Sequence, residues 1–317
     1  MKIFATGAAG FIGSVTVKEL LNRGHQVLVF DDLSTGHRQA VDSRAEFYCG
    51  ELGDPNHILP AMRTFQPDAV MHFASLALVG ESMEYPLKYF RNVSNGIALL
   101  DAMQWSGCDR IVFSSSCAIF GNAENGMPIA EDHPKNPINP YGESKLMFEK
   151  VLNWLAERKG LRQCSLRYFN AAGATECFGE DHDPETHLIP NVLTAASGKR
   201  SHVEIYGKGD CVRDYIHVLD LADAHVMALE SGVEGGFNLG TGKGSSVNDV
   251  IASVIRVTGK HPVIKKMPAR AGDPPTLVAN PALFGRRLGW KATRDLDEMV
   301  RSAWDWSLRN PNGYGRC

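Results

Sequence analysis

The segment "NPYGESKLMFEK" (139–150) holds Tyr141 and, four residues on, Lys145. On a helix the two side chains lie one above the other on the same face. A lysine beside a tyrosine favours the phenolate, because a nearby positive charge lowers the phenol's pKa. Tyr141 is therefore a candidate proton acceptor, or only a tyrosine at a helix start. Three serines, Ser114, Ser115 and Ser116, follow the apolar run "RIVF" and sit at the C-terminal end of an expected strand. Parallel α/β sheets place their ligand crevice there, although serines also simply end strands.

A second group is "TGAAGFIG" (6–13), with Gly7, Gly10 and Gly13 directly after the first apolar run and at the start of a helical pattern. Glycines there allow a tight turn and close backbone approach, and the helix N-terminus offers free N–H groups to a phosphate. A plain strand-to-helix turn would use small residues too. The next strand ends in Asp31, where a dinucleotide fold places a carboxylate on the adenosine ribose. That carboxylate would repel a 2′-phosphate and so favour NAD over NADP. Asp32 could be only a solvated turn residue.

The elements around these groups alternate. Apolar runs at 2–6, 26–31, 45–49, 69–74, 110–115 and 164–169 are separated by helical patterns such as 11–23, 87–105 and 141–157. Such alternation predicts parallel strands joined by right-handed crossovers, an α/β doubly wound sheet over the first half. The segment 171–213 is rich in Gly, Asp, Glu and His and has little regular pattern. A strand at 203–207, a helix at 218–231, a strand entering a turn at 235–242 and two or three amphipathic helices in 245–309 follow. We expect residues 1–170, with 214–240 returning to them, to bind the dinucleotide. Residues 171–317 would mainly form a smaller α/β substrate domain, with a cleft between the two.

Composition narrows the partners. The 317-residue chain has a net charge of −3, which gives no bulk attraction to nucleic acid. No apolar run is long enough to span a membrane, and the opening residues lack the pattern of a signal peptide. The seven cysteines are odd in number and show no Cys-x-x-Cys spacing, so reduced thiols in a cytoplasmic protein are expected.

The glycine spacing resembles that of the extended short-chain dehydrogenase/reductase superfamily. The likeness to its UDP-glucose 4-epimerase family covers nearly the whole chain. It rests on "TGAAGFIGS" (6–14), "DDLSTG" (31–36), "HFASLALVGES" (72–82), "VFSSSCAIFG" (112–121), "PINPYGESK" (137–145), "LRYFNAAGA" (166–174), "THLIPNVL" (186–193), "CVRDYIHVLDLADAH" (211–225), "NLGTGKGSSV" (238–247), "RAGDPP" (270–275) and "LGW" (288–290). The resemblance implies reversible inversion at carbon 4 of a UDP-sugar through a 4-keto sugar, with NAD regenerated in each cycle. UDP-glucose and UDP-galactose are the first choice.

By position, the resemblance makes Tyr141 the base, Lys145 its partner and Ser116 the third member of a catalytic set. Phe11 and Ile12 would join the glycines at the pyrophosphate. Asp31, Asp32, Leu33, Ser34, Thr35 and Gly36 would surround the adenosine ribose. Glu51 and Leu52 fall near the adenine. Phe73, Ala74, Ser75, Ala77, Asn92, Ser114, Ser115, Tyr168 and Phe169 would line the cofactor. Asn170, His187, Leu188, Glu204, Ile205, Tyr206, Arg213, Arg270, Asp273 and Leu277 would join Ser116 and Tyr141 in holding the UDP-sugar. An Arg is a fixed fork for phosphate oxygens.

This chain departs from the family pattern at Ala77, Glu51, Leu277 and the loop before Arg213, where "IYGKGDCVRD" lacks an insertion common in the family. Ala77 replaces a common cofactor-contacting lysine and Glu51 an aspartate, which bears on cofactor affinity. Leu277 stands where the room for a 2-N-acetyl group is set. A UDP-N-acetylhexosamine, UDP-pentose or UDP-uronate 4-epimerase therefore remains an alternative. A dehydratase or decarboxylase is disfavoured because Cys117 and Ala118, not a carboxylate, follow Ser116. A non-catalytic NAD sensor would not need the Tyr141 set. The cluster "GEDHDPETH" (179–187) offers Asp181, His182, Asp183, Glu185 and His187, but matches no compact zinc spacing. A substrate-covering loop explains it, and the reaction needs no metal, so none is expected. His72 and His217 read as structural histidines. By analogy with the family, a homodimer would pack through 87–105 and 141–157.

Overall fold

The computed structural model describes residues 1–122, 127–268 and 274–315. Six strands open the chain: β1 (Lys2–Thr6), β2 (Gln26–Asp31), β3 (Glu46–Cys49), β4 (Ala69–His72), β5 (Arg110–Ser116) and β6 (Arg162–Tyr168). Between them run α1 (Phe11–Asn22), α2 (Pro55–Phe65), α3 (Val79–Glu84), α4 (Pro86–Ser106) and α5 (Pro140–Lys159). Later come β7 (Asn170–Ala172), α6 (Leu188–Ala196), β8 (Val203–Tyr206), β9 (Val212–Arg213), β10 (Tyr215–His217), α7 (Val218–Ser231) and β11 (Gly235–Leu239). Then β12 (Ser245–Ser246), α8 (Val247–Thr258), β13 (Ile264–Met267), β14 (Thr276–Leu277), α9 (Ala282–Leu288) and α10 (Leu296–Arg309) follow.

The main sheet has seven parallel strands in the order β11-β6-β5-β4-β1-β2-β3. Its central strands are buried on both faces, which is why they read as unbroken apolar runs. One face packs on α1, α7 and α9 through Leu20, Leu221 and Phe284. The other packs on α2, α4 and α5 through Met62, Leu99 and Phe148. This is a Rossmann-type α/β fold. The chain reverses direction of travel across the sheet between β1 and β4, the switch point where such sheets bind ligands.

A smaller core lies outside the sheet. Val192, Ile205, Val254 and Trp304, from α6, β8, α8 and α10, meet there. The expectation of little regular structure over 171–213 needs correction, because α6 and four short strands lie in or border it. Pro190 in "LIPNVL" looks like a breaker, but it falls in the first turn of α6, where no intrahelical N–H bond is lost. Helix α2 was equally hidden, by Pro55 at its start and Pro60 inside it.

Among the described residues no helix is long and apolar enough to cross a membrane. Phe284 carries the last part of the chain back to the sheet: it is fully buried and stacks edge-on against both Phe237 of β11 and Trp290. We predict that Phe284→Ala lowers unfolding free energy by about 3–5 kcal/mol. Urea titration followed by circular dichroism would measure it, and a loss well under 1 kcal/mol would contradict this packing.

Candidate active site

The turn after β1 carries the first part of the site. Gly7 has a φ of +65°, and a Cβ on it would lie 2.3 Å from the Ala74 nitrogen. Only glycine lets the β1 turn cross the chain leaving β4 this closely. Gly13 likewise sets α1 against Ala8, where a Cβ would fall 2.5 Å from its Cα. Gly10 caps α1 without a side chain, so the first N–H groups at Phe11, Ile12 and Gly13 point off an uncapped helix end. Asp31, buried at the end of β2, accepts from Ala9 N and Leu33 N, both at 2.9 Å. Burial pushes its carboxyl up, and those two N–H groups oppose the push. Each oxygen keeps a lone pair for a further donor. Asp32 caps the turn through Ser34 N and Oγ, the plainer of its two readings. Leu33, in the left-handed region at φ 59°, and Thr35 and Gly36 complete that loop.

The chain leaving β4 supplies the next wall. Asn92 of α4 accepts from Leu76 N and donates to Leu76 O and to Ser144 of α5, so it fixes the loop of Phe73, Ala74 and Ser75. Ala77 is exposed and offers no polar group. Glu51 is exposed, and the Leu52 side chain is buried in the core under α2 and α4. This cradle fits a dinucleotide: a glycine crossing that a Cβ would fill, an uncapped helix end and a seated carboxylate.

Helix α5 brings Tyr141 and Lys145 to the end of β5. Asn139 caps it by accepting from Gly142 N at 2.8 Å, and Pro140 sets its first turn. Gly142 packs so tightly on Ala118 that a Cβ would fall 2.4 Å from its carbonyl oxygen. The Lys145 ammonium donates to the Ser114 carbonyl at 2.8 Å and lies 5.9 Å from the centre of the Tyr141 ring. Ser116 accepts from Ala118 N at 3.2 Å and lies near enough to the Tyr141 phenol to lower its pKa. The three residues thus stand together as expected from their spacing.

One electrostatic expectation needs correction. Burial pushes the Tyr141 phenol above its ordinary value, and only Ser116 pulls it back. Burial also pulls the Lys145 ammonium down, to about 7, against the attraction of Glu149. The phenol of the chain alone is a proton-holding group.

Beneath this surface lies a network that inspection of the sequence missed. Glu149, one turn beyond Lys145, accepts from Ser115 at 2.6 Å and from Arg167 of β6 at 2.9 and 2.7 Å. All three are buried. Tyr168 hydrogen-bonds Ser114. The only sequence signal was the regular recurrence Tyr141, Lys145, Glu149 on one helical face.

On the far side, three short strands gather other candidates. Arg213 and Leu277 are cross-strand partners in β9 and β14, and Asn170 pairs with Tyr215. Arg213's charge reaches the Cys117 thiol, which burial pushes up to about 12. Phe169 and Leu277 share an apolar cluster with Ile119 and Leu146. Asp214, missed in the sequence, is fully buried and accepts from Thr241 N, Gly242 N and Ala279 N at 2.9–3.1 Å. It ties the turn after β11 to the strand carrying Leu277. Glu204 pairs with Lys265 at 2.9 Å, the Tyr206 hydroxyl reaches Glu204, and the Ile205 side chain faces the smaller core. Leu188 begins α6 against that same core, and His187 faces Glu180 and Glu185. Arg270 and Asp273 lie outside the described residues.

The chain belongs to the NAD dependent epimerase/dehydratase family, whose model matches residues 3–240. It is 44% identical to a UDP-glucose 4-epimerase of Lacticaseibacillus casei over 99% of both chains. A solved UDP-glucose 4-epimerase from Brucella ovis in complex with NAD superposes with a TM-score of 0.92 at 44% identity, covering 96% of this chain and 97% of that one. One from Bifidobacterium longum in complex with NAD+ and UDP gives 0.93 at 34% identity, covering 99% and 100%.

Buried histidines give the site region a pH signature. His72, hydrogen-bonded to Thr6 at 2.7 Å, is pulled down to about 3 by burial and by Lys145. Burial pulls His217 and His225 down to about 4. Unfolded histidines bind protons near 6.5, so below that pH the unfolded chain binds more protons than the folded one. Stability should fall as pH drops from 6.5 toward 4, by roughly 1 kcal/mol per unit for each histidine. Comparing urea midpoints at pH 6.5 and 4.5 tests this. His225→Gln should flatten the slope, and an unchanged slope would refute the buried-histidine account.

Proposed function

We propose that this protein catalyses reversible, NAD-dependent epimerisation at carbon 4 of a UDP-sugar, with UDP-glucose and UDP-galactose as the pair interconverted. The observation that carries the reading is the meeting of Ser116, Tyr141 and Lys145 at the end of β5, across the switch point from the glycine turn. The names of the relatives support the choice of sugar nucleotide.

The uncapped start of α1 and the Gly7 crossing would receive the pyrophosphate of NAD, and Asp31 the adenosine ribose diol. Bound NAD would supply a reversible acceptor for the hydrogen on carbon 4. Tyr141 removes the proton of the 4-hydroxyl and later returns it. Ser116 donates to the same sugar oxygen and holds it against Tyr141. Lys145, anchored on the Ser114 carbonyl, sets the field around the phenol. Asn170, Arg213 and Leu277 hold the nucleotide side, with Arg270 and Asp273 assigned there by sequence alone. Strong binding at UDP and weak binding at the hexose let the 4-keto sugar turn over, since binding energy sits away from the reacting carbon.

Residues 1–170 and 214–240 form the cofactor part in this reading, and 171–317 mainly the sugar-nucleotide part. The pairing of β11 with β6 supports the first. The free thiols suit a reducing cytoplasm. A homodimer would join through α4 and α5, which leave Leu87, Trp105 and Trp154 at least 60% exposed.

Purified chain incubated with UDP-galactose should yield UDP-glucose on chromatography, and Tyr141→Phe should slow this by about 100-fold or more. No conversion, even with added NAD, would overturn the reading. Light scattering should give the mass of two chains, and Trp154→Glu with Leu87→Glu should halve it. A monomeric parent chain would refute the dimer.

A further inference from the structure

The loop before α6 gathers four ligating side chains outside the Ser116, Tyr141 and Lys145 set, and of the four only His187 is assigned to the UDP-sugar by resemblance. Glu180, His182, Glu185 and His187 each bring one donor atom into a group whose members all lie within 4.8 Å of one another. The His187 Nδ1 is 2.8 Å from Glu180 Oε1 and 3.0 Å from Glu185 Oε1. The His182 Nδ1 is 3.4 Å from Glu180 Oε1 and 3.7 Å from Glu185 Oε2. Four ligands at about 2.0–2.1 Å around a tetrahedral zinc ion lie about 3.4 Å apart. The four separations bracket that edge.

We propose that Glu180, His182, Glu185 and His187 form a binding site for a divalent transition-metal ion, zinc by preference, that fastens the loop leading into α6. Two imidazoles and two carboxylates are the borderline donor set that suits zinc better than magnesium or calcium. Four protein donors closing a tetrahedron make a structural site, not one with an open position for substrate.

Two further observations support a cation there. The His182 Nδ1 is buried and makes no aligned hydrogen bond, although it stands within ion-pair distance of Glu180 and Glu185. A buried ring nitrogen so placed must either carry a proton toward the carboxylates or bind a cation together with them. The Glu180 carboxylate has a side-chain exposure of only 7% and faces these two rings. Buried carboxylates require a cation close by. The intervening Asp181 is turned away, accepting from Tyr314 N at 2.8 Å, so it leaves the group of four intact. A cavity of about 470 Å³, lined by His182 together with Leu33, His37 and Arg38, adjoins the group at His182.

The competing account is a pair of His–Glu ion pairs that tie the loop without metal. Full-length chain without a histidine tag, stripped with EDTA and titrated with zinc chloride by calorimetry, separates the two. We expect one zinc per chain at submicromolar affinity, a higher melting temperature, and the intense visible absorption of tetrahedral cobalt(II) when cobalt replaces zinc. His182→Ala and Glu180→Gln should each weaken binding more than about 100-fold, beyond the cost of losing an outer-shell partner. Replacing the exposed Cys49 and Cys177 by serine should change nothing. The proposal is overturned by failure to take up zinc in stoichiometric amount, by uptake unchanged in His182→Ala, or by uptake lost with the two cysteines. His182 is partly exposed, so its variant decides the matter even if Glu180→Gln does not fold.

Discussion

The arrangement depends on one docking, that of α5 on the end of β5. Its most deeply buried polar contacts are Lys145 on the Ser114 carbonyl, Ser115 on Glu149, and Arg167 of the neighbouring β6 on Glu149. Each of these groups is buried, so none can be left without its partner cheaply; removing one member of a buried pair costs about 3–5 kcal/mol. The helix therefore has one seat on the strand. That seat places the Tyr141 phenol against Ser116 and keeps Lys145 beneath it. A catalytic group needs this kind of support, because a displacement of about 1 Å can cost about 100-fold in rate.

A second constraint works from the other side. Asp214 gathers three backbone N–H groups from the turn after β11 and the chain beyond β14. It joins the last strand of the main sheet to the short strands that carry Arg213 and Leu277. The turn after β11 and the chain beyond β14 are in this way held by one buried carboxylate. Burial raises the pKa of the Tyr141 phenol above its ordinary value.

Much of this was legible in the sequence, and for physical reasons. Strands buried on both faces leave unbroken apolar runs, so β1, β2, β4, β5 and β6 could be read directly. Gly7 was legible because a turn at positive φ admits few residue types. Helix α6 was not, because Pro190 looks like a breaker until its place in the first turn is known. Glu149, Arg167 and Asp214 were hidden for another reason: their partners lie in distant strands, and a buried ion pair has no local pattern. The sign of the Tyr141 shift was misread because spacing along a helix shows which side chains share a face, but not how deeply they are buried.

The most direct test is to run the reaction in heavy water and examine carbon 4 of the product by proton NMR. In this account Tyr141 takes a proton from oxygen, and the hydrogen on carbon 4 is handed to the cofactor and back without meeting solvent. Product made over many turnovers should therefore carry protium at carbon 4. Deuterium appearing there in step with epimerisation would mean that a base strips carbon 4 itself, and would contradict the role given to Tyr141 and the cradle beside it.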